Sequence, residues 1–502
     1  MRHSRLLIAA VTCLNLAGFS NIALGHDFIV PGSRGAAMAG AMVATSDDGH
    51  AVWYNPANLV LSDNFKGAIQ YSGMWGSLDS SISNYGSLGH LPNFQVEGAD
   101  GALSSTKTRL RIQRMFQNEA EPDSLQGLTL TAVLPIHRMI PELPIRITLG
   151  LSVFVPGAGT KIVHVKGVTP DTPFYPVFGS RLQRMRLLFG LGFELIPGTL
   201  SLGVGASLFA NIAGEVGSLT PMTTFDATED PEDQDVPAPS KATFGQELST
   251  SMSPIVGLRY QPLDWLNFGV SYRHKHGMNL DFNVAAGLDV NMGYPLEAEM
   301  PYYLRSNFFF VPSNLGGGVD FSLIPGLRLT AQLDYVFWSD LQDYINISEF
   351  DIADGMVNDD GALVPLEDYG DFKVRSYPVP RIRSRNVFSP KAGAEWTIGG
   401  FTSIRLGYAW TQSALQTDQD YQNLLLDNDY HTVSGGLGFS FLDPLGYMKK
   451  EMLLDLHFSA YILQPRSNKV GLQDDLGGFH ARGVVDTSGY FLNFGVEFTV
   501  QL

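Results

Sequence analysis

The last twelve residues, FLNFGVEFTVQL, place Leu492, Phe494, Val496, Phe498, Val500 and Leu502 on one face of an extended chain. Asn493, Gly495, Glu497, Thr499 and Gln501 take the other. Successive side chains of a strand point to opposite faces, so this period describes a strand with one oily and one polar side. The pattern returns along the chain. In IRITLGLSVFV the apolar set is Ile145, Ile147, Leu149, Leu151, Val153 and Val155, and in TLSLGVGASLFA it is Leu200, Leu202, Val204 and Leu208. SIRLGYAWTQ sets Ile404, Leu406, Tyr408 and Trp410 against Ser403, Arg405, Gly407 and Thr411. MLLDLHFSAYIL sets Leu454, Leu456, Phe458, Ala460 and Ile462 against Asp455, His457 and Ser459.

A soluble β-sandwich alternates too, but its strands average about five or six residues, whereas a tilted membrane strand needs roughly 9–11. Many runs here reach the longer figure. No segment beyond the first 25 residues has the roughly 18 uninterrupted apolar residues of a membrane helix. A closed barrel satisfies every backbone group in lipid without one. Tight turns fall near Pro141, at 196–198, 261–265, 324–326 and 398–400, and near Pro444. They alternate with long polar loops at roughly 79–125, 156–181, 212–249, 287–306, 349–384, 413–430 and 464–484. Short turns at one end and long loops at the other are the habit of outer-membrane barrels. Counting strands between them predicts an all-β fold: a transmembrane antiparallel β-barrel of about 14 strands. Tyr71, Trp75, Trp265, Tyr272, Trp338, Tyr408 and Trp410 lie near strand ends, where aromatic belts meet the interface.

Arg2 and Arg5 precede an apolar run from Leu6 to Phe19, and Ala23-Leu24-Gly25 fits a small-x-small cleavage site. Residues 1–25 therefore read as an export signal, with the mature chain starting near His26. The single cysteine, Cys13, lies inside it, which leaves no disulfide framework. Removing Arg2 and Arg5 with the signal takes the net charge from −17 to −19. That balance argues against a nucleic-acid partner.

Between signal and first strand stands GSRGAAMAGAMVATSDDGHAVWYNPANL, Gly32 to Leu59, which has neither period. A barrel of this size encloses a lumen that would leak if left open. Small residues pack closely against a wall, Asp47, Asp48, His50 and Asn55 offer polar bonds, and Pro56 forces a turn. The expected organisation is a signal at 1–25, an internal plug at 26–62 and the barrel at 63–502.

This stretch resembles the N-terminal hatch of the FadL family of outer-membrane transporters for long-chain fatty acids and other hydrophobic compounds. The match is a Gly/Ala-rich run, the pair Asp47 and Asp48, and the turn Asn55-Pro56-Ala57. LRYQPLDWLNFGVSYRHKH resembles a strand–turn–strand unit of that family, with Gly269, Ser271, Tyr272 and Arg273 in order. Trp338-Ser339 and a late strand–loop–strand unit with Arg405, Gly407, Tyr408, Ser413, Asp427, Asp429, His431, Ser434 and Gly438 resemble it as well. The chain departs from the family in ending on Leu502 where Phe is usual. Phe494 and Phe498 keep the aromatic spacing of the barrel-assembly signal.

The resemblance implies passive uptake: capture at the outer face, a lumen pocket under hatch control, and sideways exit through a kinked third strand. Pro156, Gly157 and Gly159 are the candidates for that kink, since Pro removes a ladder donor and Gly permits a bulge. Two aromatic stretches are candidates for the capture groove. One carries Phe174, Tyr175 and Phe178; the other carries Tyr302, Tyr303, Phe308, Phe309 and Phe310. A carboxylate on the cargo would want a cation. The inward phase supplies Arg146, Arg184, Arg186, Arg273 and Arg405 as head-group candidates, with Arg259 and Lys391 beside them. No cofactor and no metal site is expected. The expected partners are an apolar small molecule, outer-membrane lipid with lipopolysaccharide, and the barrel-assembly machinery, with the chain a monomer in the outer membrane of a Gram-negative bacterium. Three alternatives stay open: a channel for aromatic hydrocarbons or other apolar compounds, a general porin, and a barrel hydrolase. For the last, Asp455 and His457 share a face, but no GxSxG elbow or metal-ligand spacing accompanies them.

Overall fold

Alternation closes the chain into a ring of fourteen antiparallel strands. A computed structural model describes residues 30–83, 125–156, 185–210, 218–220, 240–242, 250–291, 295–344, 347–349, 355–357, 363–365, 384–415, 418–419, 427–442, 450–473 and 480–502. The barrel strands are β1 (Lys66–Ser83), β2 (Leu125–Pro135), β3 (Ile147–Pro156), β4 (Met185–Ile196), β5 (Leu200–Ala210), β6 (Thr250–Leu263) and β7 (Leu266–Arg273). They continue as β8 (Asn314–Ile324), β9 (Leu327–Val336), β10 (Val387–Ile398), β11 (Thr402–Thr411), β12 (Tyr430–Leu442), β13 (Glu451–Gln473) and β14 (His480–Gln501).

Each strand pairs with its neighbours in sequence, and β14 returns to β1 in a register from Lys66↔Gln501 to Ser83↔Val484. The Leu502 N–H donates to the Phe65 carbonyl at 2.9 Å, so the last peptide of the chain helps to seal the seam. Closure leaves no unpaired edge, the condition for a sheet to stand in lipid.

The two faces match the sequence phase. Along β14, Phe494 is 45% exposed and Val496 38%, while Asn493 is fully buried and Glu497 nearly so. Along β7, Phe268 and Val270 face out, and Asn267 and Ser271 face in. This inversion of a soluble protein, with oil outside and polar groups inside, marks a surface built for hydrocarbon. On it Trp75 and Phe494 stack with centroids 4.5 Å apart.

Two expectations change. The loop drawn at 287–306 is part of a long antiparallel hairpin, His276–Asn291 with Pro295–Val311, rising beyond the end of β7. The loop drawn at 464–484 is largely strand, because β13 and β14 stay paired as far as Gln473↔His480. In the hairpin the sequence does alternate, with Met278, Leu280, Phe282, Val284, Leu288 and Val290 set against Asn279, Asp281, Asn283 and Asp289, and the stripe continues past the point where the loop was drawn; residues 464–484 carry no such stripe. Trp338 is not in an interfacial belt. It opens the 3₁₀ helix Trp338–Tyr344 beyond β9 and is fully buried with Phe310, Leu341, Val387 and Leu415.

Candidate functional site

The segment from residue 30 to 62 runs inside the ring. It contains the helices α1 (Ser33–Ala37) and α2 (Ala51–Tyr54) and the 3₁₀ helix Pro56–Leu61. Alone it is too short and too rich in Gly to hold a shape. The wall holds it at every strand. The Gly32 N–H donates to Gln70 Oε1 of β1 at 3.0 Å, and the Ser33 N–H to Glu497 Oε2 of β14 at 2.6 Å. Ser459 of β13 and Ser434 of β12 donate to the Ala36 and Ala37 carbonyls at 3.2 and 2.9 Å. Arg34 reaches Glu395 of β10, and the Val43 N–H donates to Gln332 Oε1 of β9 at 3.0 Å. Val43 lies against Gly316 of β8, and Asn267 of β7 donates to the Ala44 carbonyl. Asn55 Nδ2 donates to the Leu258 carbonyl of β6 at 3.0 Å.

The remaining strands approach so closely that only glycine fits on one side of the contact. A β-carbon added at Gly203 of β5 would sit 2.1 Å from the Ala57 nitrogen, and one at Gly407 of β11 would sit 2.3 Å from the Met38 carbonyl carbon. Gly192 of β4 and Gly150 of β3 meet Pro56 and Leu59 in the same way, and Gly49 of the segment meets Thr131 of β2. The segment thus touches all fourteen strands. Its sequence signal was legible only in part: these wall glycines lie in the inward phase, but no periodicity distinguishes a seat from a polar lumen.

The Asn55-Pro56-Ala57 turn is the joint of this arrangement. Asn55 caps the 3₁₀ helix by accepting from the Ala57 N–H at 3.1 Å, while its Nδ2 donates to both Val43 and Leu258 carbonyls at 3.0 Å. Asp47 pairs with Arg34 at 2.5 Å. Asp48 accepts from the His50 N–H at 2.8 Å and faces the His50 ring at 3.4 Å. His50 is buried between Asp48 and Glu497, the latter at 3.5 Å. Burial disfavours its charge, but Glu497 and Asp48 outweigh that and push the imidazole up to about 9.

Two cavities lie on either side of the segment. One, toward the ends of the strands that carry the long loops, has a volume of about 140 Å³ and is bordered by Trp53, Arg186, Arg273, Lys391, Tyr430 and Tyr461. Arg273 lies 3.8 Å and Arg186 4.5 Å from the Trp53 ring centroid, both within cation–π range. The other, at the tight-turn end, measures about 470 Å³ and is bordered by charged groups, including Arg34, Asp47, Lys66, Arg328, Glu395 and Asp455.

The head-group candidates are divided between these levels. Arg186 and Arg273 border the upper cavity. Arg405 binds Glu395 at 2.6 Å and also Asp455, below the segment. Arg146 pairs with Asp63 and, at 3.6 Å, with Glu194 near the tight turns. Arg184, Gly157, Gly159, Phe174, Tyr175 and Phe178 lie outside the described residues, as does the leader at 1–25. Pro156 ends β3 opposite Gly127 of β2, and the described β3–β4 ladder runs without a register shift from Ile147↔Phe193 to Phe154↔Arg186. Tyr302, Tyr303, Phe308 and Phe309 fall within the hairpin strand Pro295–Val311, and their side chains are outside the description. Phe310 is fully buried, tilted against Trp338 at 6.1 Å. Asp455 pairs with Arg405, and His457 Nδ1 lies 3.0 Å from Ser33 Oγ in a buried contact.

The class of protein is therefore a closed fourteen-stranded antiparallel barrel, oily outside and polar inside, whose N-terminal segment bonds to inward-facing groups of the wall. No family model and no curated protein matches the chain. Among solved structures it is similar to a Pseudomonas aeruginosa FadL homologue, at 16% identity and a TM-score of 0.57, over 96% of this chain and 99% of that one. It is also similar to a deltaS2S3 mutant of the TodX monoaromatic hydrocarbon channel, at 14% identity and a TM-score of 0.51, over 95% of this chain and all of that one. A deltaS2 mutant of the same channel gives 13% identity and 0.50, over 95% and 100%. The shared property is the FadL-type barrel fold, carried nearly end to end.

Proposed function

We propose that the chain is a passive uptake protein for hydrophobic small molecules in the outer membrane of a Gram-negative bacterium. The N-terminal segment acts as its hatch. The observation that carries this reading is the position of residues 30–62, which touch every strand and divide the lumen into an upper, aromatic cavity and a lower, charged one. Apolar molecules enter lipid readily but cross the polar sugar layer of an outer leaflet poorly. Capture by an aromatic groove among the long loops, followed by transfer to the upper cavity, provides a path around that layer.

Exit along the barrel axis would drive apolar cargo past Arg34, Asp47, Glu395 and Asp455, groups that are costly to strip of water or partners. Release sideways into the membrane near Pro156, where β3 ends, avoids that cost. Long-chain fatty acids follow from the sequence resemblance, with Arg186, Arg273 and Lys391, which border the upper cavity, as the candidate cations for a carboxylate. Aromatic hydrocarbons are the second reading, favoured by the small volume of that cavity and by the fold shared with a monoaromatic hydrocarbon channel. A general porin is disfavoured by the filled cross-section. A hydrolase is disfavoured because Ser33 and His457 are buried and border neither cavity.

Uptake of labelled palmitate and labelled toluene into proteoliposomes tests the proposal. Entry of either above the protein-free rate supports it. Entry of neither, with free passage of a hydrophilic sugar, would replace it with the porin reading.

A further inference from the structure

A proline inside a closed sheet has no N–H for the ladder, so its place there needs an accommodation. Apart from Pro135 and Pro156, which end their strands, four stand within the described wall strands. Pro262 of β6 and Pro465 of β13 fall at register shifts, where a bulge absorbs the missing bond. Pro254 of β6 lies where the ladder to β7 stops because β7 itself ends at Arg273. Pro390 of β10 is different. The β10–β11 ladder runs from Ile398↔Thr402 only as far as Lys391↔Ala409. Yet both strands go on: β10 stays paired with β9 to Val336↔Val387, and β11 stays paired with β12 to Thr411↔Tyr430. The Phe388 N–H points at β11, donating to Gln412 Oε1 at 3.3 Å. Two residues on, the nitrogen of Pro390 points the same way with no hydrogen to give.

Above that point side chains close the seam. Ser389 Oγ lies 3.0 Å from Thr411 Oγ1, both buried on the lumen face. Backbone bonding resumes higher up, where the Arg385 N–H donates to the Ala414 carbonyl at 2.9 Å and Ser384 bridges Leu415. The stretch between is a window framed by backbone pairing on every side. Its inner rim is the upper cavity, which Ser389 and Lys391 of β10 and Ala409 and Thr411 of β11 border. No described residue of β2 or β3 borders that cavity. Lys391, the charged member of the four, is bound to Asp334 at 2.7 Å. The outer rim is oily: Phe388 and Tyr408 are 48% and 46% exposed, and Phe388 packs on Tyr335 with centroids 4.8 Å apart.

From this we infer that the β10–β11 window is the passage by which apolar molecules move between the upper cavity and the lipid. The Ser389–Thr411 contact is its latch, and Pro390 keeps the ladder from closing over it. Parting two hydroxyls costs less than parting a backbone ladder, whose groups would be left bare in hydrocarbon. The inference rests on the uptake reading and sets this seam in place of the passage near Pro156.

The test locks the window. In a Cys13→Ser background, which leaves no other cysteine, Ser389→Cys with Thr411→Cys sets two thiols across it. Facing positions of an antiparallel pair lie close enough for a disulfide. Proteoliposomes carrying the oxidised protein should take up labelled toluene and palmitate no faster than protein-free vesicles, and reduction should restore uptake. Ser152→Cys with Leu188→Cys, a facing pair on β3 and β4, applies the same lock to the strand that ends at Pro156 and should leave uptake unchanged. Pro390→Ala returns the missing donor and should slow uptake without any cross-link. It decides the matter if the cysteine pair does not migrate as a heat-modifiable barrel. Uptake that persists with the window locked, or that Pro390→Ala leaves unchanged, overturns the inference while the uptake reading survives. Loss of uptake with the β3–β4 lock alone does the same. If the reduced parent passes neither probe, both readings fall.

Discussion

Arg34 and Glu395 meet inside the barrel as a two-pronged pair, Nε donating to Oε2 at 2.7 Å and Nη2 to Oε1 at 2.8 Å. The same carboxylate accepts from Arg405 Nε at 2.6 Å, so one group of β10 ties the N-terminal segment to the wall and braces the wall itself. Both partners are almost entirely buried. Removing one member of a buried pair leaves the other uncompensated, a loss of roughly 3–5 kcal/mol. Arg34→Ala should therefore loosen the segment while the barrel stays closed. The check is steady current in planar bilayers, expected to rise, with heat-modifiable migration unchanged. An unaltered current would remove Arg34 from the latch.

Gly407 tests the seat sterically. A β-carbon there would lie 2.3 Å from the Met38 carbonyl carbon and 2.4 Å from the Ala39 nitrogen, backbone atoms that no rotamer change can move. Gly407→Val should push the segment off the wall at a cost of about 1–3 kcal/mol or more. Limited proteolysis reads the result: cleavage within residues 30–62 should quicken.

Asn55 makes three hydrogen bonds with one buried side chain. Asn55→Ala takes a donor from the Leu258 carbonyl and the acceptor from the Ala57 N–H, while the Val43 carbonyl keeps Asn58 Nδ2 at 3.0 Å; each group left unsatisfied costs about 1–3 kcal/mol. The midpoint of segment release in a urea series, followed by Trp53 fluorescence in a variant lacking the other tryptophans, should fall. Asn55→Asp should not rescue it, because a carboxylate accepts and cannot donate to carbonyls.

His50 gives the segment a pH dependence. Its charged form is favoured in the seated state, with a pKa near 9 against an ordinary value of about 6.5. A raised value means the stabilisation is fully present below about pH 6.5 and is lost as pH climbs through about 9. Leak current should therefore increase on the alkaline side of neutrality, and His50→Leu should flatten that rise. A current that rises instead on acidification would contradict the assignment.

The barrel was readable because each strand repeats one physical rule. Phe494 and Val496 face out and Asn493 and Glu497 face in, as the period in the last strand requires. The strand total follows from counting turns. The hairpin at 276–311 carries the same alternation, Met278, Leu280, Phe282, Val284, Leu288 and Val290 against polar or small residues, but it runs to 16 and 17 residues, beyond what a membrane strand needs, so pattern alone did not say where the strand stops. At the site, Arg186 and Arg273 could be named as inward-facing cations, but their meeting at Trp53 depends on β4 and β7 converging on a residue more than a hundred positions away. Local pattern carries no record of such a meeting. The bond of Asp455 to Arg405 instead of His457 is of the same kind: alternation set the face, and only the ring set the partner.

The central claim, that the chain's own first residues fill the cross-section of a lipid-embedded barrel, is tested most directly by single-channel conductance in planar bilayers. The full chain should carry almost no steady ion current, and a chain lacking residues 26–60 should open to a large, stable conductance. Equal currents from the two, whether both open or both silent, would contradict it.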